Sequence, residues 1–176
     1  MRAIKNKYTA FAFLFITGLI LLSISLNSCG IYSFHDVSVP DSVKTIKINY
    51  IENKATYVNP RLSSQLTDAF VRLVANQTKL TREDDNNADY VIISTITSYT
   101  VSTSGVSGNQ ASQNRLTVSV HMKFIDNFKK VTKEFDVSSN FDFAASLSLQ
   151  QAESKLMPDI LKNLSEAMFN KIFATW

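Results

Sequence analysis

Residues 115–124 alternate strictly between polar and apolar side chains, which is the clearest pattern along the chain. The apolar positions are Leu116, Val118, Val120, Met122 and Phe124. The polar positions between them are Arg115, Thr117, Ser119, His121 and Lys123. Because successive side chains of a strand point to opposite faces of a sheet, this pattern predicts a strand with one core face and one polar face.

Three further segments have the composition and alternation of strands, at residues 43–51, 90–101 and 131–143. The first has its apolar face at Ile46, Ile48 and Tyr50. The second begins with apolar residues on both faces, as a central strand covered on both sides requires. The third has its apolar face at Val131, Phe135, Val137, Phe141 and Phe143.

Polar segments separate these strands. Residues 81–89 are charged and rich in Asn, which predicts a solvated loop. Residues 102–114 consist mostly of Ser, Gly, Asn and Gln, which predicts a long flexible hairpin loop that either inserts into a partner or is disordered. Residues 126–130 turn the chain between the last two strands.

Two segments show the spacing of amphipathic helices. In the first, Pro60 opens the helix after Asn59 as N-cap, and the helix ends near Asn76. Its apolar positions are Leu62, Leu66, Ala69, Phe70, Leu73 and Val74. The second covers residues 149–173 after Ser148 as N-cap, and Pro158 should kink or divide it.

The order of elements is therefore β-α-β-β-β-α. It predicts an α+β domain in which two amphipathic helices pack on one face of a four-stranded sheet. The other face of the sheet stays polar.

The first 28 residues differ in composition from the rest. They contain Arg2, Lys5 and Lys7, no acidic residue, and a mostly apolar run over residues 8–26. That order is typical of a cleaved secretory signal, and polar residues within the run argue against the alternative, a retained transmembrane helix. We therefore divide the chain into a signal peptide at 1–28, an extended lead at 29–42 and one domain at 43–176.

The chain has 18 Lys and Arg against 15 Asp and Glu. Three of the basic residues lie in the signal segment, so the remainder has equal numbers of basic and acidic side chains. A near-neutral domain lacks the overall basic surface of a nucleic-acid-binding protein.

Cys29 is the one cysteine of the chain, and it directly follows the apolar run in the sequence Leu-Asn-Ser-Cys-Gly. This segment resembles the lipobox of bacterial lipoproteins, which implies that Cys29 carries diacylglycerol and palmitate and anchors the protein to a membrane. Several acyl chains anchor stably, at about 0.8 kcal/mol per buried methylene. By resemblance to lipoprotein sorting signals, Gly30 rather than an aspartate implies the outer membrane. No acidic or lysine-rich tether follows it, which implies the periplasmic face.

Catalytic and metal-binding patterns are absent from the sequence. The two histidines, His35 and His121, are not accompanied by ligands at zinc-site spacing, and Cys29 is committed to the lipid. Four glycines cannot supply a phosphate-binding loop, and no Gly-x-Ser-x-Gly motif is present. We predict a non-enzymatic protein without a cofactor other than its covalent lipid.

The strongest candidate for binding is a set of cations around one hairpin. Its members are Arg115, Lys123, Lys129, Lys130 and Lys133. Such residues bind anionic groups, phosphates among them. The alternative is a solvated, lysine-rich turn that protects a sheet edge.

Several short blocks resemble the LptE family of lipopolysaccharide-assembly lipoproteins, in its Bacteroidetes-type branch. They are Cys29-Gly30-Ile31-Tyr32-Ser33-Phe34, Pro40, Val43-Lys44-Thr45-Ile46, Asn114-Arg115-Leu116-Thr117-Val118 and the C-terminal Trp176. The resemblance covers residues 29–176. It implies two helices on a four-stranded sheet, in agreement with the order of elements above.

The resemblance also implies a function. Proteins of this kind plug the β-barrel translocon LptD, help it to assemble, and assist delivery of lipopolysaccharide to the outer leaflet, each as a monomer within a heterodimer. The cationic set would then contact lipopolysaccharide phosphates. Two alternatives stay open: a periplasmic scaffold or activator lipoprotein for a cell-wall synthase or secretion complex, and a lipid carrier with an apolar cavity.

Overall fold

The computed structural model describes residues 39–108 and 110–174, except for the side chains of residues 107, 110 and 111. The predicted signal peptide, Cys29, His35 and Trp176 lie outside the described residues. Neither helix of the described part combines the length and the apolarity that a membrane crossing requires.

The domain contains two helices and six strands. The helices are α1 (Leu62–Gln77) and α2 (Leu149–Phe173). The strands are β1 (Thr45–Ile48), β2 (Glu52–Asn53), β3 (Thr81–Arg82), β4 (Tyr90–Ser107), β5 (Gln110–Asp126) and β6 (Val131–Ala144). The predicted α+β class with two helices is confirmed, but the predicted count of four strands is wrong.

The strands form one mixed sheet in the order β3-β1-β4-β5-β6, and β2 also pairs with β4. The pairs β1–β3, β1–β4 and β2–β4 are parallel. The pairs β4–β5 and β5–β6 are antiparallel. The last three strands thus form a meander, and the first part of the chain adds short parallel strands beside β4.

The first predicted strand is divided in two by an irregularity at Tyr50 and Ile51. Ile48 lies opposite Ile92 and Glu52 lies opposite Thr95, so this segment has one more residue than β4 between the two pairs. The extra residue turns Ile51 into the core, where its N–H donates to Thr67 Oγ1 at 3.0 Å. Tyr50, predicted to be on the core face, is therefore exposed.

The start of the segment at 81–89 also differs from the prediction of a solvated loop. Thr81 and Arg82 form β3 and pair with Thr45 and Ile46 of β1. Buried Leu80 precedes them and holds the segment against the core. The remaining residues up to Asp89 connect to β4.

The predicted flexible loop at 102–114 is wrong, because strands β4 and β5 continue through it almost to the tip. Ser102 pairs with Arg115, and the ladder continues to Ser107 and Gln110 with shifts of register at Gly105. A Cβ atom at Gly105 would lie 3.1 Å from Ser112 Oγ, so the close approach favours glycine. Gly108 at the tip has a φ of +57°, which also favours glycine.

Both helices pack on the same face of the sheet. The largest fully buried side chains come from the helices and from this face, at Phe70, Ile46, Ile51, Leu62, Leu66, Ile92, Ile96, Leu116, Met122, Ile160, Leu164 and Met168. They belong to one hydrophobic core.

The opposite face of the sheet is not covered by the helices. There Val91 is buried but Ile93 is 39% exposed, so the predicted covering of β4 on both sides is wrong.

The apolar pattern of β5 is confirmed, since all five of its apolar positions from Leu116 to Phe124 are buried. In β6, Val137, Phe141 and Phe143 are buried, and Phe135 packs against the core. Val131 is exposed because it lies at the end of the strand, outside the area that the helices cover.

Local capping fixes where the helices begin. Ser148 and Gln151 form a capping box at the start of α2, which confirms the predicted N-cap. Asn59 Oδ1 accepts from Arg61 N–H at 3.0 Å and caps the turn that leads to Leu62, two residues after the predicted start. Pro158 does not divide α2, which is one helix from Leu149 to Phe173.

We expect Phe70→Ala to lower the free energy of unfolding by about 3–5 kcal/mol, because Phe70 is fully buried between α1 and the sheet and its loss leaves a cavity. Urea unfolding of the full-length protein in mild detergent measures the change. Arg72→Ala, on the exposed side of the same helix, should change it by less than about 0.5 kcal/mol. Equal effects of the two substitutions would contradict this assignment of the core.

Candidate functional site

The polar face of the sheet carries a row of side-chain pairs between β5 and β6. Arg115 Nε donates to Asp142 Oδ1 at 2.8 Å, and Arg115 Nη2 donates to Asp142 Oδ2 at 3.0 Å. This hydrogen bond lowers the pKa of the Asp142 carboxyl and raises the pKa of Arg115. Arg115 is therefore held in a bidentate pair across the two strands.

The row continues toward the other end of β5. Thr117 Oγ1 donates to Asn140 Oδ1 at 2.7 Å, and Ser119 Oγ donates to Ser138 Oγ at 3.1 Å. His121 Nδ1 lies 2.9 Å from Asp136 Oδ1. The polar face thus satisfies most of its hydrogen-bonding groups across the strands and presents hydroxyl, amide and paired charged groups.

The turn between β5 and β6 presents other side chains than the polar sheet face does. Asp126 is buried, and its Oδ1 accepts from Lys129 N–H at 2.7 Å, which fixes the start of the turn. Lys130 has a φ of 57°, the left-handed conformation that reverses the chain. Phe128, which lies between Asp126 and Lys130, is 55% exposed. The turn therefore has a defined backbone and presents an aromatic ring beside two lysines.

Four of the five predicted cations lie near this turn. We call Lys123, Lys129, Lys130 and Lys133, together with Phe128, the lysine turn. All four lysines are exposed. Within residues 39–108 and 110–174, none of them forms an ion pair shorter than 4.0 Å. Lys123 lies opposite Glu134 on the polar face, whereas Lys133 lies opposite Phe124.

Arg115 lies apart from the lysine turn. It precedes Lys123 by eight residues along β5, a distance of about 27 Å at about 3.4 Å per residue. In addition, the carboxylate of Asp142 neutralises the charge of Arg115. The structure thus brings the four lysines to one end of the sheet and does not bring Arg115 to them.

One buried polar contact was not expected from the sequence. Glu153 of α2 is buried, and its Oε1 accepts from Tyr99 O–H of β4 at 2.7 Å. Burial and this contact raise the pKa of Tyr99 far above its usual range. The available signal was the position of Glu153, seven residues before Ile160 and hence in the apolar row of the helix.

The described part of the chain has no group of three or more His, Cys, Asp and Glu side chains placed to hold a metal ion. Its surface features are a hydrogen-bonded polar sheet face, a cationic aromatic turn and a long hairpin. These features suit binding to another molecule.

Comparisons with solved structures agree on the fold. The minor lipoprotein from Acinetobacter baumannii is 17% identical, with 74% of this chain and 93% of that chain covered and a TM-score of 0.50. Protein XCC0632 from Xanthomonas campestris is 11% identical, with 79% of this chain and 89% of that chain covered and a TM-score of 0.52. A search of curated proteins finds no match.

The comparison with protein families is more specific. The model for LptE, described as lipopolysaccharide-assembly, matches residues 43–172. That range extends from Val43, two residues before β1, almost to the end of α2, and it includes the whole sheet. The chain therefore belongs to the LptE family of lipopolysaccharide-assembly proteins, as its resemblance to that family indicated.

Proposed function

We propose that this protein is a non-enzymatic lipoprotein of the outer membrane that plugs an LptD-like β-barrel, helps it to assemble, and assists delivery of lipopolysaccharide to the outer leaflet. The family match over residues 43–172 is the observation that carries the proposal. In this role the chain is a monomer within a heterodimer.

The polar face of the sheet supports a position in a barrel lumen. The interior of a large transmembrane barrel is polar, in contrast to its lipid-facing surface. Pairs such as Arg115–Asp142 and Thr117–Asn140 present hydrogen-bonding groups there without a large excess of either charge. The β4–β5 hairpin, which extends to Gly108, provides an elongated element for contact with barrel strands.

The lysine turn is our candidate for contact with lipopolysaccharide. Lysine side chains bind phosphates as point charges, and the exposed ring of Phe128 would contact apolar parts of the same molecule. Arg115 would reach a phosphate only by sharing or leaving Asp142, so we assign it a secondary part. A solvated turn without a ligand is the competing interpretation.

The lipid anchor belongs to the same proposal. We infer that residues 1–28 are a cleaved signal peptide and that Cys29 receives diacylglycerol and palmitate. The anchor would hold the domain at the periplasmic face of the outer membrane, beside the periplasmic opening of a barrel.

The two alternatives make different demands on the structure. A lipid carrier needs an apolar cavity for an acyl chain, whereas side chains such as Phe70, Ile92 and Leu164 fill the space between the helices and the sheet. A scaffold or activator for a cell-wall synthase or a secretion complex would use the same fold and anchor. Identification of the partner separates this alternative from the proposal.

We expect a large β-barrel of the LptD kind to co-purify in equal amount with the tagged full-length protein from mildly solubilised outer membranes, as identified by mass spectrometry. Ser119→Trp places a bulky group on the polar face and should reduce the yield of the barrel. Lys162→Trp, on the exposed side of α2, should leave the yield unchanged. Recovery of a cell-wall synthase instead of a barrel would favour the scaffold role and contradict the proposal.

Replacement of the four lysines of the lysine turn by glutamine should weaken binding of fluorescent lipopolysaccharide about tenfold, since exposed charge contacts contribute a few tenths of a kcal/mol or more each. The residual binding should depend less on salt. The matched control replaces four exposed lysines elsewhere, Lys79, Lys155, Lys162 and Lys171. An equal loss in the control would show that net charge, and not the lysine turn, governs binding.

We expect Cys29→Ala to abolish lipidation, so that the protein no longer gains the mass of the acyl chains and no longer sediments with outer membranes. Intact-mass spectrometry and membrane fractionation measure both effects. Ser28→Ala keeps the cysteine and should still be lipidated. A wild-type protein whose mass lacks the lipid would contradict the proposed anchor.

A further inference from the structure

A cleft of about 700 Å³ lies between the chain before α1, helix α1 and the first half of α2. Its lining includes Tyr57, Gln65, Glu153, Met157 and Leu161. It lies on the helical side of the domain, away from the polar sheet face and the lysine turn. None of these residues has a part in the proposed function.

The cleft contains a buried carboxylate without a cation. Glu153 is only 7% exposed. Its Oε1 accepts from Tyr99 O–H at 2.7 Å. Within the described part of the chain the second oxygen, Oε2, has only Tyr57 O–H at 3.5 Å, a distance at the limit of a hydrogen bond. Among the described residues no basic nitrogen of a Lys, Arg or His lies within 4.0 Å of a carboxylate oxygen of Glu153. Buried charges are normally paired, so Glu153 has capacity for a cationic partner.

Two further acceptors line the same cleft. Gln65 Oε1 is buried and has no hydrogen-bond donor within the described part of the chain. Pro158 has no N–H, so the carbonyl of Ser154 lacks its usual partner one turn later in the helix. Both Ser154 and Pro158 line the cleft. These two unpaired oxygens and the Glu153 carboxylate suit a ligand rich in N–H groups.

The remaining walls suit a long side chain that ends in a planar cation. Tyr57 stacks on Tyr99 with ring centroids 5.3 Å apart and is itself 38% exposed, so one ring is accessible to a cation. Met157 and Leu161 provide apolar surface for an aliphatic stem. A guanidinium has five N–H donors in a fixed plane and can satisfy a carboxylate and an amide oxygen together, which an ammonium does less well.

From this arrangement we propose that the cleft binds an arginine side chain of a protein partner. The guanidinium lies on Glu153 and Gln65, and the stem lies along Met157 and Leu161. Arg61 also lines the cleft, but its side chain is exposed and forms no ion pair with Glu153. The Glu153 carboxylate thus remains without a cation from the described part of the chain and is available to an arginine from a partner.

The probe for this site is Nα-acetyl-arginine amide, titrated into the isotope-labelled full-length protein in mild detergent and followed by amide NMR. We expect saturable shifts confined to residues around the cleft, with a dissociation constant in the millimolar range. The citrulline analogue has nearly the same shape without the charge and should cause no saturable shift. Equal shifts with both compounds would overturn the proposal.

Glu153→Gln should weaken binding of the arginine compound about tenfold or more, because a charge-assisted contact is lost while the hydrogen bond to Tyr99 can remain. Glu166→Gln removes the same charge from an exposed position of the same helix and should bind as the wild type does. Unchanged binding in Glu153→Gln would overturn the proposal.

A second variant keeps the test decisive if Glu153→Gln does not fold. Met157→Arg places a guanidinium four residues after Glu153, on the same side of α2. It should occupy the cleft, raise the melting temperature above that of Met157→Gln, and abolish binding of the arginine compound. A melting temperature no higher than that of Met157→Gln, with binding of the probe retained, would contradict an arginine site.

Discussion

The structure depends on the burial of one face of the β4–β5–β6 meander beneath two helices. In the parts of these strands that the helices cover, alternate side chains enter the core, and β5 contributes five of them between Leu116 and Phe124. Because burial of apolar area is the main favourable term in folding, this contact fixes the register of all three strands. A slip of one residue in β5 would place Arg115 and Lys123 in the core.

This constraint leaves the other sheet face free to be polar, and its side chains are organised by the same register. Arg115 meets Asp142, Thr117 meets Asn140 and His121 meets Asp136 because the strand pairing places them opposite each other. Cross-strand pairs of this kind contribute modestly to stability. They also give the face a fixed pattern of donors and acceptors before any partner binds, which reduces the ordering cost of binding.

The sequence predicted the elements whose periodicity spans many residues. The alternation in β5, the apolar rows of both helices and the cap at Ser148 were recognisable because the physical signal repeats or is local. Short strands such as β2 and β3 have two residues each and depend on neighbours distant in sequence, so no pattern could reveal them. The composition of residues 102–114 predicts a loop because it does not report the backbone hydrogen bonds that form the ladder of this hairpin.

The candidate sites also differ in how far the sequence alone reveals them. The lysines near the β5–β6 turn could be identified because they are close in sequence, but the separation of Arg115 from them follows from strand length. The cleft at Glu153 combines residues from the chain before α1, from both helices and from β4. In the sequence, its one indication is a charged residue within the apolar row of a helix. Contacts between distant segments of this kind require the folded structure.

The length of the β4–β5 hairpin has a consequence for local stability. Toward Gly108 its residues 101–104 are exposed, and Val106 is exposed as well, so the helices do not cover this end. Its cohesion comes from backbone hydrogen bonds and not from buried apolar area. Such regions open at a lower free energy than the global unfolding of a domain. The tip can therefore adjust its shape to a surface while the part of the hairpin beneath the helices keeps its register.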